Sequence, residues 1–157
     1  MLKYILTFLI SMVPIIELRV GIPIGVGMGV DWKLAVAICM VGNSLPVPFI
    51  FLFARKILLW GKDKPVIGKF FTFCLEKGEK GGKKLSEKAG KGMFLALMLF
   101  VGIPLPGTGA WTGTLAASIL DLDFKKSIPA IICGVVLAAI IITAATLLGF
   151  AAFTAAK

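Results

Sequence analysis

Apolar residues fill the chain in four long stretches, and the charged residues between them predict its elements. Residues 34–54 and 127–156 contain no charged side chain. A membrane-spanning helix needs about 20 consecutive apolar residues, so each of these two stretches predicts a transmembrane helix. Two further stretches, residues 4–30 and 93–120, are similarly apolar, apart from two charged residues in the first of them.

Proline and glycine interrupt these two further stretches. Residues 14–29 and residues 102–113 each contain two prolines and four glycines. Proline removes a helical hydrogen bond, and a glycine costs a helix about 1 kcal/mol relative to alanine. Each stretch therefore predicts a re-entrant hairpin with an irregular tip; a pair of kinked full spans is the alternative. Irregular backbone is tolerated at membrane depth only where protein or a water-filled cavity covers it, so we expect the two tips to meet.

A weak internal repeat joins the two halves of the sequence. At an offset of 92 residues, identical residues recur at breakers and at charged helix starts: Phe8 and Phe100, Pro14 and Pro106, Gly21 and Gly113, Asp31 and Asp123, Gly42 and Gly134. A competing offset of 81 residues aligns Val20–Pro23 with Val101–Pro104. A hairpin returns to its own side and a single span crosses, so the 92-residue register predicts an all-α membrane protein of two inverted repeats.

A basic segment separates the predicted repeats. Residues 55–91 hold 11 of the 17 Lys and Arg residues and 4 of the 8 acids. Such short basic loops are retained on the cytoplasmic side, where they attract anionic lipid head groups. Its apolar residues predict an amphipathic stretch on the inner membrane surface. We therefore expect one membrane domain over residues 1–157, with repeat 1 at 1–54, the cytoplasmic linker at 55–92 and repeat 2 at 93–157.

The composition narrows the class of protein. Of the 157 residues, 59% are hydrophobic and only 16% are charged, which is too few polar residues for a soluble enzyme. Histidine is absent and the three cysteines show no metal-ligand spacing, so neither a metal nor another cofactor is expected. The net charge is +9. Because the positively charged residues flank apolar spans, anionic lipid is favoured over nucleic acid as the partner.

The two charged residues within an apolar stretch, Glu17 and Arg19, are the strongest functional signal. Charges at membrane depth are costly and usually mark function. Glu17 is a candidate proton carrier, and the Arg19 guanidinium suits a phosphate or a carboxylate. The alternative is a structural ion pair that holds the hairpin.

Other candidate residues supply neutral groups to a binding site. The second tip offers hydroxyls, an aromatic ring, and glycines that permit close backbone approach to an anion. Trp111 is equally compatible with an interfacial anchor, and Asn43 with a hydrogen bond between helices. The full set of predicted substrate- or ion-binding residues is Glu17, Arg19, Asn43, Gly107, Thr108, Gly109, Trp111 and Thr112.

Two motifs carry a resemblance to a known family. The pattern P-x-x-E-L-R-x-G-I-P from Pro14 to Pro23 and the run P-L-P-G-T-G-A-W-T-G from Pro104 to Gly113 resemble the small multidrug export proteins of prokaryotes. More distantly, the layout resembles DedA-like membrane proteins, which carry paired re-entrant hairpins with a buried acid and an arginine. This chain lacks an arginine near its second tip, unlike that group.

The resemblance implies a multi-pass plasma-membrane transporter. We expect a small amphipathic, anionic substrate, drug-like or resembling a lipid phosphate, moved with protons or sodium. A homodimer is expected because one protomer has little protein with which to cover two irregular tips. The alternatives are a DedA-like flippase or scramblase for undecaprenyl phosphate or phospholipid, and a membrane scaffold that transports nothing. A membrane-embedded enzyme is the third alternative, because the chain has no histidine and no paired catalytic carboxylates.

Overall fold

The computed structural model describes residues 1–64, 68–69, 72, 76, 92–105 and 107–155. Within these residues the protein is helical, without a strand. Its helices are α1 (Leu2–Met12), α2 (Glu17–Gly27), α3 (Trp32–Ser44), α4 (Val47–Gly61), α5 (Gly92–Gly102), α6 (Ala110–Ile119) and α7 (Phe124–Ala155). Most of the predicted basic linker, including its amphipathic stretch, lies outside the described residues. We call residues 1–61 the first half and residues 92–155 the second half.

Four short helices replace the two interrupted apolar stretches. Helices α1, α2 and α5 have 11 residues each, and α6 has 10. At 1.5 Å per residue they measure about 15–17 Å, roughly half the hydrocarbon thickness of a bilayer. The predicted interruption is therefore confirmed, although Pro23 and several glycines lie inside regular α2. The irregular segments are shorter than the density of breakers predicts.

Two longer stretches supply the expected spanning length. Trp32–Gly61, formed by α3 and α4, and Phe124–Thr154 within α7 have 30 and 31 residues and are apolar enough to cross a membrane. Helix α4 continues past residue 54, so the charged region begins inside this helix. Asp31 caps α3 by accepting from Lys33 N at 3.0 Å, and Asp123 accepts from Lys125 N at 2.9 Å. Each aspartate therefore caps the first turn of its helix.

The same backbone path recurs in both halves. The described residues with positive φ, a conformation that L-residues rarely adopt, form three pairs that are each 92 residues apart in sequence. The pairs are Ile15 (72°) with Gly107 (81°), Glu17 (52°) with Gly109 (138°), and Gly29 (76°) with Asp121 (54°). The backbone thus follows the 92-residue register and not the competing offset of 81.

Equivalent glycines give the two halves the same close packing. A Cβ on Gly42 would overlap Ser11 Oγ of α1, and a Cβ on Gly134 would lie 2.6 Å from Val101 Cβ of α5. Helix α3 therefore packs closely against α1 in the first half, and α7 packs closely against α5 in the second half.

The halves also exchange contacts. Helix α4 packs on α6 of the second half, and α7 packs on α2 of the first. Ser118 Oγ in α6 donates to the Phe51 carbonyl at 2.8 Å. The apolar core lies where these helices meet and includes Leu18, Ile22, Val47, Val101, Ala117, Ile131 and Val135. This exchange brings the two breaks together.

Candidate functional site

Glu17 joins the first break to the start of a helix in the second half. Its side chain is only 3% exposed. The backbone N–H groups of Ala110 and Trp111 donate to its Oε2 and Oε1 at 3.2 and 3.0 Å. These are amides at the first turn of α6, which have no partner within their own helix. Glu17 thus acts as an N-cap supplied from elsewhere in the chain, where an anion also complements the helix dipole.

Gly109 provides the space for this carboxylate. A Cβ at Gly109 would lie 2.7 Å from Glu17 Cδ, and the backbone there has φ 138° and ψ −176°. That conformation is accessible essentially to glycine alone. Gly109 also occupies the position equivalent to Glu17 in the 92-residue register. At this equivalent position the first half has a glutamate and the second half has a glycine. The glutamate carboxylate occupies the space that the missing side chain of Gly109 leaves open.

Arg19 binds the end of α5. Its Nη1 donates to the Leu105 carbonyl at 2.7 Å, and its Nη2 donates to Thr108 Oγ1 at 2.8 Å. Nη2 also lies 3.3 Å from the carbonyls of Val101 and Ile103. Terminal carbonyls of a helix lack intrahelical donors, and a cation there complements the helix dipole. The guanidinium thereby fixes the chain as it leaves α5.

Trp111 makes the reciprocal contact from the second half. Its indole Nε1 donates to the Met12 carbonyl at 3.1 Å, at the end of α1. Trp111 is 92 residues after Arg19. Each half therefore sends one donor from this equivalent position to the end of the other half's first helix. We call Glu17, Arg19, Thr108, Gly109 and Trp111 the crossed-tip cluster.

Comparison with known proteins places the chain in a family. Residues 17–141 match the family described as "Putative small multi-drug export protein". The chain belongs to the small multi-drug export family. No curated protein and no solved structure matches it. The match begins at Glu17 and includes the whole crossed-tip cluster, whereas the resemblance to DedA-like proteins stays a prediction.

Three predicted residues lie outside this cluster. Gly107 and Thr112 are exposed, and no atom of the described residues lies within 4 Å of a Cβ built on Gly107. Asn43 is 1% exposed in α3, and its Oδ1 has no hydrogen-bond partner among the described residues. No hydrogen bond described in the structure connects Asn43 with the crossed-tip cluster.

Sequence reasoning missed the main-chain half of the cluster. The partners of Glu17 and Arg19 are chiefly backbone groups of Ala110, Trp111 and Leu105. A main-chain donor or acceptor is present at nearly every residue, so the sequence does not mark it. The one available signal was the P-G-T-G run, whose glycines predict close approach to a partner.

In this export-family protein the crossed-tip cluster pairs opposite charges with opposite helix ends. A carboxylate occupies a helix start and a guanidinium occupies a helix end, and both come from the first turn of α2. Loss of either charge would free main-chain groups at the interface between the halves. The cluster therefore contributes to the fit between the two halves.

Proposed function

We propose that this member of the small multi-drug export family is a plasma-membrane exporter of small amphipathic anions, controlled by protonation of Glu17. The observation that carries the proposal is the binding of the Glu17 carboxylate to the Ala110 and Trp111 amides. A buried acid in an apolar chain of an export family is well suited to take up and release a proton.

The architecture that we propose is a pair of inverted repeats. Each half contributes two short helices that enter and leave the membrane on the same side, followed by one crossing stretch. The recurrence of positive φ at an interval of 92 residues supports the repeat. One crossing per half places the second half in the opposite orientation, as in many secondary transporters. A homodimer would cover the exposed apolar faces of the short helices.

Protonation of Glu17 is the proposed switch. Hydrogen bonds to an ionised carboxylate are roughly twice as strong as neutral ones. When Glu17 gains a proton, its hold on the first turn of α6 weakens and the two amides become available to another anion. Ionised Glu17 therefore keeps the tips together, and neutral Glu17 lets them separate.

The substrate's anionic group takes the vacated place in this scheme. The two amides and the nearby Arg19 guanidinium offer it donors, while Thr108 and Trp111 line the same break, with Gly107 and Thr112 next to it in the chain. Because the anion binds only when Glu17 is neutral, one proton moves with each substrate, and the pair is neutral when the substrate carries a single negative charge. The substrate gradient and the pH difference, not the membrane potential, then set the direction of net movement.

The test is transport by Glu17→Gln in reconstituted vesicles. Glutamine keeps the size and an oxygen acceptor but cannot titrate, so dye efflux should lose its dependence on pH. We expect wild-type efflux of an anionic fluorescent dye to rise as the pH on the dye side falls. We expect the Glu17→Gln substitution to lower the thermal midpoint by several degrees but to leave the protein folded, because one amide oxygen replaces the two oxygens that accept from Ala110 N and Trp111 N.

Arg19→Lys serves as the companion variant. It keeps the charge but loses the planar fork that reaches several carbonyls, so it should weaken anion transport while preserving the pH dependence. A well-folded Glu17→Gln protein with the pH dependence of wild type would remove the basis for proton control.

A further inference from the structure

Asn43 is a buried polar group whose hydrogen bonding is incomplete. It lies near the end of α3, is 1% exposed, and its Oδ1 has no partner within the described part of the chain. Buried polar atoms are almost always satisfied, so an orphan calls for an explanation. The equivalent position in the second half is Val135, which is fully buried in the apolar core. The same place in the fold thus accepts an apolar residue, and the amide is not needed for packing.

Two prolines leave further oxygen acceptors beside Asn43. Helical hydrogen bonds run from each N–H to the carbonyl four residues earlier, and proline has no N–H. Pro46 therefore cannot donate to Gly42, and Pro48 cannot donate to Ser44. Both carbonyls belong to the last turn of α3, where Leu45 N donates to the Val41 carbonyl at 3.0 Å.

The Ser11 hydroxyl adds a fourth oxygen to this region. It lies against the Gly42 backbone, since a Cβ on Gly42 would overlap Ser11 Oγ. Ser11 is fully buried, donates its proton to the Phe8 carbonyl at 2.7 Å and also contacts the Cys39 thiol through a side-chain hydrogen bond, which leaves one oxygen lone pair for a cation. The four groups are neutral oxygen acceptors, without a carboxylate among them.

We propose that Asn43 Oδ1, the carbonyls of Gly42 and Ser44, and Ser11 Oγ bind a monovalent cation of the size of sodium. Hard cations prefer oxygen ligands, and neutral oxygens at interrupted helix ends bind sodium in secondary transporters. Divalent cations would require carboxylates to offset their dehydration. The site is separate from the crossed-tip cluster, and its test requires no transport.

The experiment compares thermal midpoints of the purified full-length protein in detergent with sodium chloride, potassium chloride or choline chloride at equal ionic strength. A ligand that binds only the folded state raises its stability in a saturable way. We expect sodium at ten times its dissociation constant to raise the midpoint by roughly 3–6 °C for a chain of this size. Choline should give no such increase.

Three variants make the assignment specific. Asn43→Val copies the second half and should abolish the sodium increment. Pro46→Ala restores an N–H that can donate to the Gly42 carbonyl, so it should reduce the increment even if Asn43→Val fails to fold. Ser118→Ala removes another buried hydroxyl, already bonded to Phe51, and should keep the increment.

Two outcomes would rule out the proposed site. If wild type has the same midpoint in sodium and choline, the orphan oxygens bind water only. If Asn43→Val and Pro46→Ala both retain the full increment, sodium acts elsewhere. Either result leaves the proposed role of Glu17 untouched, because that role is measured by the pH dependence of efflux.

Discussion

The two halves have positive φ angles at equivalent positions, 92 residues apart, but they differ in the residues at these positions. At the tip, the second half has Gly107 and Gly109 at positive φ, where the first half has Ile15 and Glu17. Glycine adopts such angles without steric cost. A β-branched residue with such an angle is a genuine outlier, so the backbone is strained at Ile15 but not at the equivalent Gly107.

The two halves bury polar residues at different positions. Thr7, Ser11 and Asn43 are buried polar residues of the first half. The second half has Leu99, Ile103 and Val135 at the three equivalent positions, but it buries polar side chains of its own at Thr114, Ser118, Ser127 and Thr146. Strain and buried polar groups are costs that proteins usually tolerate at functional sites. Backbone strain at the tip therefore distinguishes the first half, which has Ile15 and Glu17 where the second half has glycines, whereas the number of buried polar residues does not.

The largest effect should come from filling the space that Gly109 leaves. In Gly109→Val the new side chain meets the Glu17 carboxylate and forces a β-branched residue into a glycine-only conformation. Strain and overpacking together cost about 2–6 kcal/mol. We expect loss of efflux and a midpoint lowered by at least several degrees.

Gly107→Ala is the matched control for that variant. Its φ is also positive, but nothing lies within 4 Å of a Cβ there, so only the conformational cost of about 1–2 kcal/mol applies. Equal losses for Gly107→Ala and Gly109→Val would show that the carboxylate does not need the space.

Alanine substitutions at two glycines of α7 should have smaller effects on stability, and of opposite sign. Gly134→Ala places a methyl group 2.6 Å from Val101 Cβ and 2.7 Å from the Met98 carbonyl, which would push α7 away from α5. We expect a destabilisation of about 1–3 kcal/mol. Gly149→Ala meets nothing within 4 Å and gains up to about 1 kcal/mol of helix propensity. Thermal midpoints that move in the same direction would contradict the packing described between α5 and α7.

The sequence predicts the parts of this fold that depend on local chemistry. Proline and glycine mark the two interruptions, and Asp31 and Asp123 mark the helix starts, because breaking and capping act within a few residues. Pro23 shows the limit, since it lies inside α2, where the packing of neighbouring helices outweighs local propensity. The partners of Glu17 were beyond reach, because Ala110 N and Trp111 N are ordinary amides until the halves meet.

The smallest expected effect tests the strain in the first half. Ile15 has φ 72° and is 91% exposed, so its side chain contributes little packing to offset a cost of about 1–2 kcal/mol. Ile15→Gly gives the first half the residue of the second. Glycine also increases the conformational entropy of the unfolded chain, which offsets part of the relieved strain. The net stabilisation should be about 0.5–1 kcal/mol and should appear as a small rise in the thermal midpoint.

Ile16→Gly provides the control and decides between two interpretations. Ile16 has φ −73°, so glycine releases no strain there and should only destabilise. If Ile15→Gly stabilises the protein and also reduces efflux, the strained backbone helps to hold Glu17 ready to leave the α6 amides. A stabilised variant with unchanged efflux would assign the strain to the repeat's geometry alone, and Glu17 would then act through its charge without help from the backbone.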